Sequence, residues 1–539
     1  MGLLASALVL LSCQGGPAIP VMPTGTTPSE LRVGLPSLPS STDPALTAGY
    51  EGAIARVAFE PLLKQRPDLS ELDPAAADRY EVSADGLTYT FHLRVKARWS
   101  DGTAVRAEDF VSAWRRVLDP RVNSPWGDLL AARIKGAAQY ANLDPVQDLA
   151  RIPTFLDGLG LKASDGQTFV VELAHPAPDF RWIAALPALA PTREGSPAGA
   201  GQGAAEKPGA RLSNGPFEVR SATTAQVVLA ANGHYWGAKP ALSRIILVQV
   251  PAGEAGNEFR QGRQDLSALT REDAARAGQD PAAAAHLLKV TRLEQSWIQF
   301  NVHSAPFDNS HVRLAFAKAI DRESLVAQVL KGVGLPSSGL IPSGLPDHRP
   351  NLAAQRFDLA AARDELNLSG LSPAALPQIH LLTRDLPPDR ALAEFVAAQV
   401  RDHLGLDIVL DVKPSREVTR LLANGRFQVQ GPAGWIADYA DERDWLDLFL
   451  TEHFAQSSRY SSVAYDHLVE QGDGEPNPAR RRQAYLQAQQ ILVEDAPVAF
   501  LFQAQSWSLR QPYVRNLKPS ALDSWPGDAS VAGITVSRH

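Results

Sequence analysis

Apolar and polar residues alternate with a period of two in YEVSADGLTYTFHLR, residues 80–94, around an Asp-Gly pair. Tyr89, Phe91 and Leu93 are separated by polar side chains, which is the pattern of a strand with one buried face. An Asp-Gly pair between two such runs is a strong signal for a tight turn. The segment therefore predicts a β-hairpin.

The period changes in the residues that follow, RAEDFVSAWRRVLDP. Phe110, Trp114 and Val117 are spaced i, i+4 and i+7, so they share one face of a helix. Acidic residues occupy the first turn and Pro120 closes the segment, as expected at the two ends of a helix. We predict an amphipathic helix here.

The second half of the chain repeats strand and helix patterns in alternation. From Trp297 onward, the predicted elements are the strand WIQFNV, a helix pair in VRLAFAKAIDRESLVAQVL, a buried strand at 379–384, a helix ending at Gly405, the strand DIVLDVK and a helix starting at Asn477 and Pro478. Two earlier strands are predicted in QVVLAA and RIILVQV. Such alternation is typical of an α/β lobe.

A Gly-rich stretch, GSPAGAGQGAAEKPGARLSNG at residues 195–215, separates the better-patterned regions. Its run from Gly199 to Ala204 fits the G-x-G-x-x-[GA] pattern of dinucleotide-binding loops. No strand pattern precedes the run and no helix pattern follows it, although a nucleotide site requires both. We interpret the stretch as a loop of low complexity.

The length of 539 residues and the mass of 58.0 kDa exceed what one hydrophobic core usually supports. Two or more lobes are therefore expected, with room for a cleft between them. With 45% hydrophobic and 21% charged residues the composition is that of a globular protein, and the net charge of -7 favours solubility. No basic run interleaved with aromatics occurs, which argues against a nucleic-acid partner.

The chain begins MGLLASALVLLSCQGG, whose apolar stretch is shorter than the roughly 18 residues that span a bilayer. It is typical of a secretory signal, and Leu10-Leu11-Ser12-Cys13 resembles the bacterial lipobox. We therefore expect residues 1–30 to be a lipoprotein signal and tether, with lipidation at Cys13, the only cysteine. No Lys or Arg precedes the short apolar run, so a start codon further upstream and a simple frayed tail are alternatives.

Residues for catalysis or metal binding do not form any identifying pattern. No P-loop, H-E-x-x-H, C-x-x-C or G-x-S-x-G motif occurs, and one cysteine provides neither a disulfide nor a Cys-based metal site. His303 and His311 flank a strand-to-helix passage, where histidines mostly cap helices or face solvent. We predict no catalytic residue, no metal site and no cofactor. A secreted hydrolase whose triad assembles from distant residues is an alternative.

Several segments resemble, in order, solute-binding protein family 5 of ABC importers, the oligopeptide- and dipeptide-binding proteins. They are ARVAFEPLL, the stretch from ELDPAAADRY to AWRRVLDP, SNGPFEV, ANGHYWG, FNVHSAPFDNSHVRLAFAKAIDRESL, GRFQVQGPAGWIADY and ILVEDAPVAFLF. LDPRVNSPWGDLLA resembles the oligopeptide-binding branch. The resemblance covers roughly residues 30–539, and its ordered matches are more specific than any single motif. Pro61, in place of the Gly of F-E-G-L, and the longer Gly-rich insertion depart from the family pattern in a turn and a surface loop.

The resemblance implies the α/β type II periplasmic-binding-protein fold, in which two lobes joined by strands close over a ligand cleft. On this basis the first lobe comprises residues 31–60, 184–292 and 507–539. An extra subdomain of the first lobe occupies residues 61–183, and the second lobe comprises residues 293–506.

In peptide binders of the family, the acidic residue of G-W-x-A-D-Y pairs with the ligand's α-ammonium, and the neighbouring strand binds the ligand main chain. Asp438 matches the acidic residue, and Ala433, Trp435 and Ile436 match the strand. A carboxylate between aromatic residues is poorly hydrated and gains a charge-assisted hydrogen bond only when ligand is present. The strand adds hydrogen bonds that do not depend on the ligand's side chains.

A structural role is the alternative for the acidic residues of this segment. Asp438 or Asp441 would then cap the helix ERDWLDLFL. Asp441, directly before Glu442, is the better placed of the two for a cap, and Asp438 lies too far upstream.

Three further residues match cleft positions of the family. Trp126 matches an aromatic on the cleft wall, and Trp297 with Gln299 matches a strand that faces the ligand from the other lobe. For these residues, and for Trp435, packing in the core is an equal alternative. No Arg or Lys can be assigned to the ligand's carboxylate, and Pro432 stands where a cation would be useful.

The resemblance implies a non-enzymatic extracytoplasmic receptor that captures short peptides and delivers them to an ABC permease complex in the inner membrane. We expect a monomer, anchored by lipid on the periplasmic or cell-surface face of the bacterial membrane. A nickel chelate, a sugar or an opine is the alternative ligand within the family.

Overall fold

The computed structural model describes residues 29–144, 147–148, 151–193, 212–349, 353–372, 376–451, 453, 457–475 and 477–537. Cys13, the predicted signal and tether up to residue 28, and most of the Gly-rich stretch lie outside these residues. Across the described ranges the protein is mixed α/β. None of the helices there has both the length and the apolarity required to cross a bilayer.

The strands of the described residues are given in chain order. They are β1 (Glu30–Leu35), β2 (Leu63–Gln65), β3 (Leu72–Pro74), β4 (Ala77–Val82), β5 (Thr88–Leu93), β6 (Leu161–Asp165), β7 (Thr168–Glu172), β8 (Phe217–Ala222), β9 (Gln226–Ala231), β10 (Arg244–Gln249), β11 (Leu266–Ala268), β12 (Leu287–Phe300), β13 (Leu335–Pro336), β14 (Ile379–Arg384), β15 (Ile408–Lys413), β16 (Val429–Ile436), β17 (Val498–Arg510), β18 (Val514–Arg515) and β19 (Thr535–Val536).

The α-helices of the described residues follow the same order. They are α1 (Ala55–Ala58), α2 (Ala107–Leu118), α3 (Gly127–Ala131), α4 (Ala137–Ala141), α5 (Ile152–Gly158), α6 (Phe180–Ile183), α7 (Ala255–Arg260), α8 (Arg271–Gln279), α9 (Pro281–Ala284), α10 (Ser310–Lys318), α11 (Arg322–Gln328), α12 (Leu359–Leu368), α13 (Pro387–Leu404), α14 (Ser415–Ala423), α15 (Arg443–Leu446), α16 (Val463–Gly474) and α17 (Pro478–Asp495).

One mixed sheet of eleven strands dominates the described structure, in the order β15-β14-β16-β12-β17-β11-β1-β10-β9-β8, with β13 paired to β17 beside this path. Pairing is parallel around β1 and β14 and antiparallel around β12 and β17. Parallel neighbours require crossover connections, and α13 supplies one between β14 and β15. A second sheet, β4-β5-β7-β6, is antiparallel and lies in the region predicted to be an extra subdomain.

The long strands β12 and β17 join the two halves of the large sheet. Their antiparallel ladder extends from Leu287 opposite Leu509 to Gln299 opposite Val498. On one side β17 pairs with β11, and on the other side β12 pairs with β16. The register of the β12–β17 ladder shifts between Thr291 and Gln295, so regular pairing is lost at residues 292–294.

The three largest apolar clusters lie in different regions of the described structure. One lies around β1, β8, β9 and β10 and includes Leu31. Another packs α10 and α13 against β14 and includes Phe316. The third contains Phe91 and Trp114 of the four-stranded region and continues into Tyr439, beyond β16. The region predicted to be an extra subdomain therefore shares a core with the segment that carries the predicted ligand residues.

The local predictions from sequence are largely confirmed. β4 and β5 form the hairpin, with Gly86 in its turn at a φ of 71°, a left-handed conformation that suits glycine. β14 has the predicted bounds, and Gly405 ends α13 by donating its N–H to the Arg401 carbonyl. α17 begins at Asn477, whose side chain accepts the first free N–H groups of the helix.

Two predicted elements have different lengths in the structure. β12 begins at Leu287, ten residues before the predicted strand start. The prediction missed this first half because it is only partly buried and shows no apolar alternation. The predicted helix ERDWLDLFL is reduced to α15 followed by a 3-10 turn at Asp447–Phe449.

Close packing between α16 and α17 provides a stability test. Gly472 on α16 is buried, and a methyl group placed there would overlap the Tyr485 ring of α17, whereas nothing lies within 4 Å of the same position at Gly474. We expect Gly472→Ala to destabilise the protein by about 1–3 kcal/mol, since overpacking outweighs the gain in helix propensity. Gly474→Ala is the matched control and should leave stability unchanged or slightly raised. Thermal unfolding of both variants measures this, and equal midpoints would contradict the packing argument.

Candidate functional site

One edge of β16 is open where the predicted ligand-binding strand lies. Along its other edge β16 pairs with β12 from Glu294 opposite Ile436 to Phe300 opposite Val429. β14 covers β16 only at Val429 and Gln430, so residues 431–436 have no strand partner on that side among the described residues. Alternate main-chain N–H and C=O groups of a strand point to each edge. This segment can therefore accept an extended chain.

Close contact with β12 explains the glycine in the middle of this segment. A side chain at Gly434 would place its Cβ within 2.5 Å of the Gln295 carbonyl oxygen. The neighbouring Ala433 carbonyl accepts a hydrogen bond from the Ser296 hydroxyl at 3.1 Å. The strand is thus held against β12 on one side while its other edge stays free.

A cavity of about 480 Å³ lies along the open edge. Five of the seven residues predicted to bind ligand line it, namely Trp297 and Gln299 from β12 and Ala433, Trp435 and Ile436 from β16. The lining also includes Arg271 from α8, Arg384 at the end of β14 and Asp389 from α13. Arg271 falls in the part of the chain predicted to be the first lobe, and the other lining residues fall in the part predicted to be the second lobe.

A narrower pocket adjoins the large cavity and contains the remaining two predicted residues. Its volume is about 20 Å³, and its lining includes Trp126, Asp438, Gly49 and Thr47. Ile436 lines both spaces, which makes them neighbours. All seven predicted residues are thus brought together around one continuous region of the cleft.

Asp438 is half-buried in this pocket, and its main chain is fixed by Asp444. The Asp438 N–H donates to Asp444 Oδ2 at 3.0 Å, and the Trp435 indole N–H donates to the same oxygen at 3.2 Å. Within the described residues, the Asp438 carboxylate itself has no hydrogen-bond or ion-pair partner. The chain therefore presents an unsatisfied anion to the pocket.

The two carboxyl groups also influence each other electrostatically. Burial raises the pKa of Asp438 to about 7. Burial, and next the charge of Asp438, raise the pKa of Asp444 well above its usual range, although the Trp435 indole opposes this effect. The pair therefore resists carrying two negative charges, and a cation placed at Asp438 would favour its ionised form.

Asp441 is satisfied by its own chain, unlike Asp438. Its carboxylate accepts the Arg443 N–H at 2.9 Å and forms an ion pair with Arg481 at 2.7 Å. The N-cap residue of α15 is Glu442, so Asp441 lies one position before the cap predicted from the sequence, although its carboxylate still accepts the N–H of Arg443, the first residue of the helix.

Trp126, Trp297 and Gln299 contact other residues of the protein and also line the cavity or the adjoining pocket. The Trp126 indole N–H donates to the Thr47 carbonyl at 2.8 Å. Trp297 packs against Phe449 and Phe500, with ring centroids 6.1 and 6.2 Å away. The Gln299 side-chain amide donates to the Ser457 hydroxyl. Each residue therefore has a structural partner in addition to its exposure to the cavity.

A buried ion network fixes the segment just beyond Asp438. Arg133 of the extra subdomain forms ion pairs with Asp179 at 3.1 Å and with Asp447 at 2.7 Å. The Tyr439 hydroxyl donates to Asp179 at 2.8 Å. Burial alone would raise the pKa of Asp179, but Arg133, Arg443 and Tyr439 outweigh it and lower this pKa to about 2. The residue next to Asp438 is thus tied to the subdomain across the cleft.

Sequence reasoning missed the cations of the large cavity. Arg384 is the last residue of a correctly predicted strand and forms an ion pair with Asp389. Arg271 begins α8, far from β16 in the sequence, and no motif marks it. Pairing of β14 with β16 brings Arg384 to the cavity wall, whereas Arg271 reaches it through packing between the parts of the chain predicted to form the two lobes.

Comparison with known proteins gives a consistent family assignment. The family model for bacterial extracellular solute-binding proteins, family 5 middle, matches residues 71–456. The periplasmic murein peptide-binding protein MppA of Escherichia coli K12 is 27% identical over 507 residues, covering 92% of each chain. The oligopeptide-binding protein OppA of Bacillus subtilis 168 is 27% identical over 500 residues, covering 89% of this chain and 88% of OppA.

A solved structure shows the same architecture. The structure of the murein tripeptide binding protein MppA of Escherichia coli has a TM-score of 0.77 and 26% identity, covering 95% of this chain and 99% of that one. This likeness confirms the expected fold class, a mixed α/β protein of two lobes with a large central sheet. The matched length, the ordered motifs and the shared fold together show that the chain belongs to family 5 of the bacterial extracellular solute-binding proteins.

Proposed function

We propose that this protein is the extracytoplasmic receptor of an ABC importer, which captures short peptides in the cleft and delivers them to the membrane permease. The observation that carries the proposal is the half-buried Asp438 carboxylate, which has no partner within the described chain and lies at the end of an open strand edge. The names of the relatives MppA and OppA describe peptide binders, which supports the same ligand class.

The chemistry of the site suits the free amino end of a peptide. An α-ammonium at Asp438 would form a charge-assisted hydrogen bond, which is stronger than a hydrogen bond between two uncharged groups. The peptide main chain would pair with residues 431–436 of β16, adding a strand to the sheet. Main-chain pairing does not distinguish side chains, so binding that tolerates many sequences follows.

Closure of the lobes is part of the proposal, with the lobe boundaries taken from the sequence. The first lobe is residues 31–60, 184–292 and 507–539 with the subdomain 61–183, and the second is residues 293–506. The loss of regular β12–β17 pairing at residues 292–294 supports a hinge at this boundary. We propose a monomeric, non-enzymatic receptor, because the site holds an anion and an open strand edge rather than a nucleophile beside a base.

Removal of the Asp438 charge is the direct test of this function. Asp438→Asn keeps the side-chain shape and the main-chain bond to Asp444, but it carries no negative charge and cannot form an ion pair with an ammonium. We expect the affinity for free-amine peptides to fall roughly thirtyfold or more, as when one partner of a desolvated charge pair is lost. Isothermal titration calorimetry with a pool of short peptides measures this, after mass spectrometry has identified any ligand that copurifies.

Two controls separate charge recognition from general damage. Asp407→Asn removes a carboxylate that is 76% exposed in the same lobe and should leave affinity unchanged. N-acetylated peptides should bind wild type as weakly as free peptides bind Asp438→Asn. If no free-amine peptide raises the unfolding temperature of the wild-type protein, the peptide function is wrong.

The raised pKa of Asp438 predicts a pH dependence of binding. In the unliganded protein this pKa is about 7, and a bound ammonium favours the ionised form. Affinity should therefore rise as pH increases from about 5 to about 7, by up to about tenfold per pH unit, and then level off. Without ligand the sign is opposite: the folded state holds the proton more tightly than the unfolded state, so this group's contribution to stability falls between about pH 4 and 7. Titration calorimetry across this range should show the rise for wild type, and an equal rise in Asp438→Asn would contradict it.

We propose a lipid anchor at Cys13 that holds the receptor on the periplasmic or cell-surface face of the membrane. The lipobox-like residues before Cys13 support it, and the relatives named above include a periplasmic protein. In cells that produce the full chain, Cys13→Ser should move the protein from the detergent phase to the aqueous phase of a detergent partition. Gln14→Ala retains the cysteine and should stay in the detergent phase. Equal partition of the two variants would contradict the anchor.

A further inference from the structure

Arg271 is a cation of the large cavity that has no partner in the described protein. It is the first residue of α8, its side chain is half-buried, and it lines the cavity of about 480 Å³ together with the open edge of β16. No hydrogen bond or ion pair joins its guanidinium to the described residues. A guanidinium has five N–H donors, so this side chain reaches the cavity with unused hydrogen-bonding capacity.

The charges around Arg271 do not neutralise it by direct contact. Glu272 on its own helix, Glu294 on β12 and Asp389 on α13 lie within electrostatic range. Asp389 is already bound by Arg384, whose Nε lies 2.5 Å from a carboxylate oxygen. Burial lowers the pKa of Arg271, and the three carboxylates only partly oppose this effect. A desolvated cation of this kind favours an anionic partner from outside the chain.

The position of Arg271 relative to Asp438 follows from the sheet register. Glu294 lies opposite Ile436 on β16, and Arg384 ends β14, whose register continues toward Pro432. Because Arg271 interacts electrostatically with Glu294 and with Asp389, the ion-pair partner of Arg384, we infer that it lies beside the part of the open edge between Ile436 and Pro432. These residues are two to six positions before Asp438, or roughly 7–20 Å along a strand. An extended peptide of about two to five residues spans such a distance.

We propose that Arg271 receives a carboxylate of the bound peptide, so that the cleft holds its ligand by an anion at Asp438 and a cation at Arg271. This inference rests on the proposed function, and it adds that the ligand is a short zwitterion rather than a long chain or a neutral solute. It also supplies the cation that the sequence did not reveal. The carboxylate is either the main-chain terminus or an acidic side chain, and both present the same two oxygens to the guanidinium.

Peptide pairs that differ only in one carboxylate test the proposal. We would measure the binding of Ala-Ala-Ala as the free acid, Ala-Ala-Ala as the C-terminal amide, and Ala-Glu-Ala as the C-terminal amide. Wild type should bind the free acid roughly ten- to hundredfold more tightly than the tripeptide amide. Restored affinity in Ala-Glu-Ala amide would identify an acidic side chain as the carboxylate, and continued weak binding would identify the terminus.

Arg271→Gln should remove the difference between acid and amide while leaving the affinity for the amide unchanged. Arg271→Lys keeps the charge and should recover most of the preference, which excludes a purely structural effect. Arg276→Gln is the matched control, because Arg276 lies on the same helix, is 61% exposed and pairs with Asp273. Its binding should equal that of wild type.

The outcomes separate this inference from the function on which it rests. If wild type binds the acid and the amide equally, or if Arg271→Gln weakens both to the same degree, the role of Arg271 is wrong while peptide binding stands. If wild type binds none of the free-amine peptides, including Ala-Ala to Ala-Ala-Ala-Ala-Ala, the peptide function itself fails. Loss of the acid preference in Arg271→Gln alone supports the proposal.

Discussion

The antiparallel ladder between β12 and β17 is the interaction on which the rest of the structure depends. Within the described sheet, β16, β14 and β15 connect to the first-lobe strands only through this pair. The same strands form the site, because β12 places Trp297 and Gln299 on the cavity wall and the Leu293 carbonyl accepts the Ala437 N–H at 2.8 Å. Movement at residues 292–294 would therefore change the cleft directly, without a separate transmitting element.

Some buried carboxylates near β16 are paired with arginines, and the Asp438 carboxylate is not paired with a described residue. Asp179 and Asp447 are paired with arginines, and the Tyr439 hydroxyl completes the set. Such a network is costly to break by removing one partner, so it holds the predicted subdomain, through Arg133 and Asp179, against Tyr439 and Asp447. Asp438, one residue before Tyr439, has no such partner in the described chain. The contrast between these adjacent residues supports the proposed ligand role of Asp438 more directly than cavity size does.

The sequence predicted the helices and strands whose hydrophobic periodicity follows from burial. It did not predict features that depend on contacts between residues distant in the sequence. β14 has the predicted bounds because its residues are mostly buried, and Gly405 ends α13 because glycine adopts the left-handed conformation there. The first half of β12 was missed, since its pairing with β17 does not require an apolar alternation. Asp438 was predicted as a ligand residue through a family motif, whereas no local sequence signal marks Arg271. Its role emerges only when α8 is packed against the second lobe.

Recognition through two charges and a strand edge has a consequence for selectivity. Hydrogen bonds from the edge of β16 are the same for every peptide, so they add affinity without preference for side chains. If the carboxylate bound at Arg271 is the chain terminus, the proposed pair of charges requires a matching ligand length, and a peptide one residue too long or too short leaves one charge unpaired. An unpaired desolvated charge costs far more than a poorly filled side-chain pocket. Discrimination by length and by free termini is therefore expected to exceed discrimination by sequence, which suits a receptor that collects peptides of mixed composition.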